Sequence, residues 1–220
     1  MVTGGAKGIG KAVAVRFAED RVEAGGRDML DVTDEDAVAA FFERVGSVDV
    51  LVNNSGVAEG APVVRTSLES WRHHFEVNAT GAFLCTRAVL PAMLERGEGR
   101  IITVASTAGL RGARYTAAYT AAKHAAVGLM RATAAEVAGT GVTANAVCPG
   151  WVRTAMMERA VERITETTDR DEQQAEAALV AQMPLGRALE PEEVAEAVWF
   201  LASPGAAAIN GQALLLDGGG

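Results

Sequence analysis

Four short apolar, β-branched runs constrain this chain most: Val48 to Val52, Ile101 to Ala105, Val142 to Val147 and Ala213 to Leu216, separated by stretches with helical patterning. Runs that are apolar at successive positions suit strands covered on both faces, and strands alternating with helices lie parallel. The pattern predicts an α/β chain built on a doubly wound parallel sheet. Helix starts are marked by Thr33 three residues before Asp36, by Thr66 three before Glu69, and by Glu190-Pro191-Glu192-Glu193, which puts proline and acids in a first turn. With 220 residues and 49% apolar content, the chain is expected to form one domain over residues 1–220.

Three features carry chemistry. Thr3-Gly4-Gly5-Ala6-Lys7-Gly8-Ile9-Gly10 joins a clipped first strand to a helix beginning near Lys11, the arrangement in which backbone N–H groups and a helix N-terminus receive a pyrophosphate. Tyr119 and Lys123 stand four residues apart, which on a helix places a phenol beside an ammonium. Drawing a tyrosine pKa from its usual 10 toward neutrality takes about 4 kcal/mol, and a neighbouring cation with a second positive group can supply it. Ser106 follows the run Ile101 to Ala105, where a hydroxyl can donate to a substrate oxygen.

Charge and composition exclude several classes. A formal net charge of −8 repels phosphate backbones, so no nucleic-acid partner is expected. The longest apolar stretches are strand-sized or broken by charge, which predicts no membrane span and a cytoplasmic protein. Cys85 and Cys148 lack the spacing of zinc ligands and read as buried thiols, and the adjacent His73 and His74 point in different directions on a helix, as surface or packing residues. No metal is expected.

These residues, with Asn53-Asn54-Ser55-Gly56, Asn78 after a helix over Leu68 to Val77, and Pro149-Gly150 followed by Thr154, resemble the motifs of the short-chain dehydrogenase/reductase family. The resemblance implies a Rossmann-type fold and an NAD(P)-dependent oxidoreductase that interconverts a ketone and a secondary alcohol. It implies Tyr119 as general acid/base, Lys123 holding the phenolate and the nicotinamide ribose, Ser106 polarising the substrate carbonyl, and Asn78 holding a water that links Lys123 to solvent. Cofactor contacts are expected from Gly4, Gly8, Ile9 and Gly10, from Asp31 and Val32 around the adenine, from Asn53 and Gly56, and from Pro149, Gly150, Val152 and Thr154 at the nicotinamide end. Lys7, facing a 2′-phosphate, leans the choice toward NADP(H) over NAD(H). The family also implies a homotetramer, with helices around 82–94 and 117–137 packing against other copies.

Met156, Met157, Ile164, Leu179, Val180 and Met183 are interspersed with charges between Ala155 and Gly186, as in an amphipathic lid over the substrate. Leu110, Trp151 and Met156 are expected to line the pocket with it. The tail from Pro184 to Ala213 is similar to those of 3-oxoacyl reductases, 3-hydroxyacyl-CoA dehydrogenases and polyketide ketoreductases, which implies a 3-oxoacyl or 3-hydroxyacyl substrate. Arg111 and Arg114 read either as contacts to a carrier phosphate or as solvated loop residues. The alternatives are a dehydrogenase of a small or aromatic secondary alcohol and a non-catalytic dinucleotide-binding protein. Between Asp20 and Asp31 the chain departs from the family: the second-strand region is missing or unresolved, the latter being the expectation, because a parallel sheet without an inner strand exposes an apolar edge.

Overall fold

The computed structural model describes residues 1–181 and 183–219; Gln182, inside the segment expected to form a lid, and Gly220 lie outside the described residues. In chain order the elements are β1 (Val2–Thr3), α1 (Gly8–Arg16), β2 (Ala24–Gly25), α2 (Glu35–Val45), β3 (Val50–Asn53), α3 (Leu68–Phe75), α4 (Gly81–Arg96), β4 (Gly99–Val104), α5 (Ala117–Glu136), β5 (Val142–Pro149), α6 (Ala155–Thr167), α7 (Glu172–Val180), α8 (Pro191–Ala202) and β6 (Ala213–Leu216). The strands pair in parallel in the order β2-β1-β3-β4-β5-β6.

Alternation along the strands divides the interior in two. Leu51, Ile101, Ala144 and Ala146 face a core shared with α2, α4 and α5, while Val52, Ile102, Val104 and Val147 face the opposite layer, formed by α1 and α8. Both sheet faces are therefore covered, as the successive apolar residues of β4 and β5 require. Between α3 and α4 one π-helical turn, Glu76–Thr80, keeps the axis continuous and carries Asn78. The combined helix Leu68–Arg96 is long and apolar enough to cross a membrane by length and composition alone. Here its buried residues Leu84, Cys85, Val89 and Met93 pack into the first core.

Between Asp20 and Asp31 the chain passes from α1 through the two-residue strand β2, which pairs with β1, and turns at Gly26 to reach Leu30. The edge strand is short, and Ala24 packs closely against Gly5, just past the carboxyl end of β1. Two caps differ by one residue from expectation. Asp34 accepts from the Ala37 N–H and Ser67 from the Ser70 N–H, in place of Thr33 and Thr66, whereas α8 starts at Pro191 with Glu192 and Glu193 in its first turn, as expected.

Candidate active site

At the carboxyl end of β1 the backbone makes a turn that only glycine takes easily. Gly4 and Gly8 have φ of +64° and +53°, and a Cβ on Gly10 would press into the Asn54 amide and the Gly4 carbonyl. Asn54 braces this turn, its Nδ2 donating to the carbonyls of Thr3 (2.9 Å) and Gly4 (3.2 Å). In return Thr3 Oγ1 accepts the N–H groups of Asn54 (2.9 Å) and Ser55 (3.0 Å). The result is a bare backbone cradle at the N-terminus of α1, which fits a pyrophosphate. Ile9 packs toward the core beneath it, and Lys7 is exposed at its rim. Across the cleft, the Thr154 methyl lies 3.2 Å from where a Cβ on Gly8 would stand, so the loops after β1 and β5 meet here.

Beyond the ends of β4 and β5, Ser106, Tyr119, Lys123 and Asn78 come together. The Ser106 side chain stands beside the Tyr119 phenol as its polar partner, and Ser106 Oγ accepts the Ala108 N–H at 3.1 Å. Lys123 is buried beneath, its Nζ donating to the Val104 carbonyl at 2.9 Å and lying 5.8 Å from the centroid of the Tyr119 ring. A Cβ on Gly56 would be 2.9 Å from Asn78 Oδ1 and 3.6 Å from Lys123 Nζ, so both groups converge on that glycine. Asn78 is fixed by donating to the carbonyls of Val57 (3.0 Å) and His74 (2.9 Å) while Oδ1 accepts the Val57 N–H. A cavity of about 10 Å³, the room of one water, is lined by Asn53, Asn78, Thr103 and Lys123 among others.

Electrostatics correct the expected direction of the tyrosine shift. Burial raises the Tyr119 pKa, and the polar Ser106 side chain only opposes that rise. Lys123 itself is lowered to about 8 by burial, with a small opposing pull from Cys148. In the protein alone the phenol therefore holds its proton, because losing water costs the phenolate more than the neighbouring groups return.

The remaining expected residues fall in two groups. Asp31 and Val32 flank the cleft after β2; the Asp31 carboxylate accepts from Thr33 N (3.0 Å), Thr33 Oγ1 (2.7 Å) and Arg27 (2.8 Å), and the Thr33 bonds, more than Arg27, hold its pKa down. Pro149 and Gly150 end β5, and Val152 bridges to Leu189. Asn53, by contrast, turns its side chain inward to Thr86 (3.0 Å), away from the glycine turn. Leu110 and Trp151 pack against the two cores, and Met183, expected in the lid, is a core residue whose Sδ accepts the Trp151 N–H at 3.2 Å. Met156, half-buried, lies in the first turn of α6. Arg111 is half exposed but not free: it pairs at 2.8 Å with the fully buried Asp217. Arg114 is exposed and donates to the Tyr115 hydroxyl.

His74 is the residue the sequence reading undervalued. It is fully buried, accepts the Glu59 N–H at Nε2 (3.0 Å), and its Nδ1 lies 2.7 Å from the Ser70 carbonyl, so Nδ1 carries the proton. Its ring stands edge-on to Tyr119, centroids 6.4 Å apart.

Comparison with known proteins agrees with this architecture. A family model described as enoyl-(acyl carrier protein) reductase matches residues 22–220. A putative ketoacyl reductase of Streptomyces coelicolor is 40% identical over 248 residues, covering 100% of this chain and 95% of that protein. That alignment is longer than the chain, so the relative carries stretches with no counterpart here. The 3-oxoacyl-[acyl-carrier-protein] reductase FabG of Vibrio cholerae is 37% identical, covering 100% of this chain and 95% of its own length. A crystal structure of an actinorhodin polyketide ketoreductase variant with NADPH superposes with a TM-score of 0.89 at 41% identity, over 99% of this chain and 95% of that one. The chain belongs to the short-chain dehydrogenase/reductase family of NAD(P)-dependent ketone/alcohol oxidoreductases.

Proposed function

We propose that the protein reduces a 3-oxoacyl substrate to the 3-hydroxyacyl product, with NADPH preferred over NADH, in the cytoplasm. The observation that carries this reading is the grouping of Ser106 and Tyr119 with the buried Lys123, whose Nζ lies 5.8 Å from the Tyr119 ring centroid, at the strand ends that face the glycine cradle. Open α/β sheets bind ligands in that crevice. When bound, the reduced nicotinamide supplies the hydride that the carbonyl carbon receives. Tyr119 Oη gives its proton to the carbonyl oxygen, and Ser106 Oγ donates a hydrogen bond to the same oxygen as charge develops on it. Lys123 offsets the phenolate that Tyr119 becomes. Asn78 holds a water in contact with Lys123, by which the proton is restored from solvent.

The residues proposed to seat the cofactor are Gly4, Gly8, Ile9 and Gly10 at the pyrophosphate, Asp31 and Val32 at the adenine, Asn53 and Gly56 through their backbone, and Pro149, Gly150, Val152 and Thr154 at the nicotinamide. Lys7, exposed beside the cradle and without a partner among the described residues, supports the NADPH preference. Leu110, Trp151 and Met156 would face the acyl chain. A tetramer formed through α4 and α5 belongs to the same reading, and Phe83 and Leu94, both exposed on α4, support it.

The test is an assay of acetoacetyl thioesters against simple ketones and aromatic ketones with each nicotinamide, following loss of the reduced cofactor. Thioester turnover with NADPH above the other combinations is expected. Equal or faster turnover of simple ketones would favour the small-alcohol dehydrogenase reading, and a stable monomer in light scattering would remove the tetramer.

A further inference from the structure

Asp217, the residue after β6, is a buried acid that the proposed reaction does not use. Its carboxylate has no exposed surface; Oδ2 accepts from Arg111 Nη2 at 2.8 Å, across 106 residues of sequence, and Oδ1 accepts the Gly219 N–H at 3.0 Å. Arg111 is half exposed, so one end of the pair is dry and the other wet. A pair placed in this way is a poor source of stability, because the carboxylate gives up its water for a guanidinium that keeps part of its own. What it supplies is position. A charge-assisted hydrogen bond from a planar guanidinium has fixed geometry, and here it joins two segments far apart in the chain.

On the Arg111 side of the pair is the turn that carries Ser106. Residues Thr107–Gly109 make one 3₁₀ turn, in which the Gly109 N–H donates to the Ser106 carbonyl (2.8 Å), the Ala108 N–H to Ser106 Oγ (3.1 Å) and the Arg111 N–H to the Thr107 carbonyl (3.1 Å). Arg111 is thus the far end of the turn that Ser106 begins. The middle of it rests on α5, since a Cβ on Gly109 would stand 3.0 Å from the Lys123 carbonyl. On the Asp217 side two further segments converge. Leu216 pairs with Pro149 across β5 and β6, and its carbonyl accepts the Gly150 N–H at 2.9 Å. The Leu185 N–H, where the chain returns from α7, donates to the Asp217 carbonyl at 3.0 Å, and a Cβ on Gly218 would lie 2.6 Å from the Leu185 nitrogen. The ion pair therefore ties the Ser106 turn to the strand ends beside Pro149-Gly150 and to the segment returning from α6 and α7.

We infer that Arg111 and Asp217 are positioning residues for the reduction: through the turn Thr107–Gly109 the pair keeps Ser106 Oγ in place relative to Tyr119 and to the ends of β5 and β6. This rests on the proposed reaction, in which Ser106 donates to the carbonyl oxygen. Neither Arg111 nor Asp217 meets the reacting atoms in that reaction, so their loss acts through Ser106 and depends on Ser106 being present.

The test compares wild type, Arg111→Met, Arg111→Lys and Arg111→Met combined with Asp217→Asn, the last because methionine alone strands a buried carboxylate. Each is also made in the Ser106→Ala chain. On a ketone that wild type reduces, Arg111→Met and the combined variant are expected to lower kcat about tenfold and leave the NADPH Kd within about twofold, with Arg111→Lys recovering part of the loss. In the Ser106→Ala chain the same changes should cost less than about twofold further, since the group they position is already gone. A merely structural role would cost as much in either chain. That result overturns the inference, and so does a combined variant with kcat within about twofold of wild type. Hydrogen exchange read by mass spectrometry separates the inference from the reaction. In the combined variant the peptide over residues 106–111 should exchange at least about threefold faster, with the peptide over residues 3–10 unchanged. If wild type reduces no ketone, the proposed reaction falls alone and this exchange pattern still upholds the anchoring of Ser106. Unchanged exchange over 106–111 overturns it whatever the turnover.

Discussion

Lys123 Nζ donates to the Val104 carbonyl at 2.9 Å, tying the ammonium to the end of β4 and not to the phenol one helical turn away. The strand end sets where the charge sits, and burial sets how firmly it is held, at a pKa of about 8. Lys123 therefore titrates close to working pH while Tyr119 keeps its proton, the state needed for protonating a carbonyl.

A pH limb follows for the free enzyme. As pH rises through about 8, Lys123 loses the charge that offsets the forming phenolate, and kcat/KM for ketone reduction is expected to fall about tenfold per pH unit beyond the break. Lys123→Arg keeps a charge at this position, so its profile should break at higher pH, whatever its absolute rate. A wild-type profile flat to pH 10 would show that Lys123 does not govern the reaction.

The same shift affects stability. The folded pKa lies below the unfolded value of 10.5, so between about pH 8 and 10.5 the unfolded chain binds the extra proton and this residue's contribution to stability rises with pH. Below pH 8 the penalty is present in full, on the order of 3 kcal/mol. Lys123→Met lacks this penalty. Its stability relative to wild type should be greatest near pH 7 and decline toward pH 10.5 in denaturant titrations. Cys85, raised by burial to about 12, acts in the opposite sense between about pH 9 and 12, but it does so in both proteins and cancels in the comparison.

Tyr119→Phe removes the proton donor and leaves the ring. Turnover is expected to drop by a factor on the order of 10² to 10⁴ while NADPH still binds at the glycine cradle, as measured by quenching of tryptophan fluorescence. Activity near wild type would reassign the proton to another group.

Gly8→Ala tests the cradle. At φ +53° an alanine costs roughly 1 to 2 kcal/mol, and its Cβ would also crowd Thr154. Dinucleotide affinity should weaken at least about tenfold. Thr154→Ser in the same chain removes the methyl but not the backbone strain, so it should restore only part of the affinity. Full restoration would mean that crowding alone matters.

The sheet was legible because β3 to β6 are apolar at successive positions and the glycine turn, Tyr119, Lys123 and Ser106 sit at fixed places relative to those strands. Strand β2 was not: two residues, Ala24 and Gly25, carry no periodicity, and only pairing with β1 makes them a strand. Neighbouring polar residues were equally hard to tell apart. Asp34 and Thr33, or Asn54 and Asn53, differ by one backbone step, and the direction of that step decides which caps, which braces and which is buried. Arg111 finds Asp217 across 106 residues of sequence, a distance over which no local pattern reports.

His74 shows what such a distinction is worth. Its neighbour His73 shares its chemistry but not its direction, and only His74 faces α5, with one ring nitrogen bonded to the Glu59 N–H and the other to the Ser70 carbonyl. His74→Leu preserves the apolar contact with Tyr119 but leaves the part-buried Glu59 N–H without its acceptor, at about 1 kcal/mol. His74→Gln can return an acceptor near the position of Nε2 and should recover much of that loss. If the histidine also positions the Glu59 segment relative to Tyr119, kcat should fall in the leucine variant and recover in the glutamine variant, in step with stability in urea. A leucine variant as stable and as active as wild type would reduce His74 to space-filling, and the link from the Glu59 segment to the tyrosine would then have to run through the Ala61 and Tyr115 backbone alone.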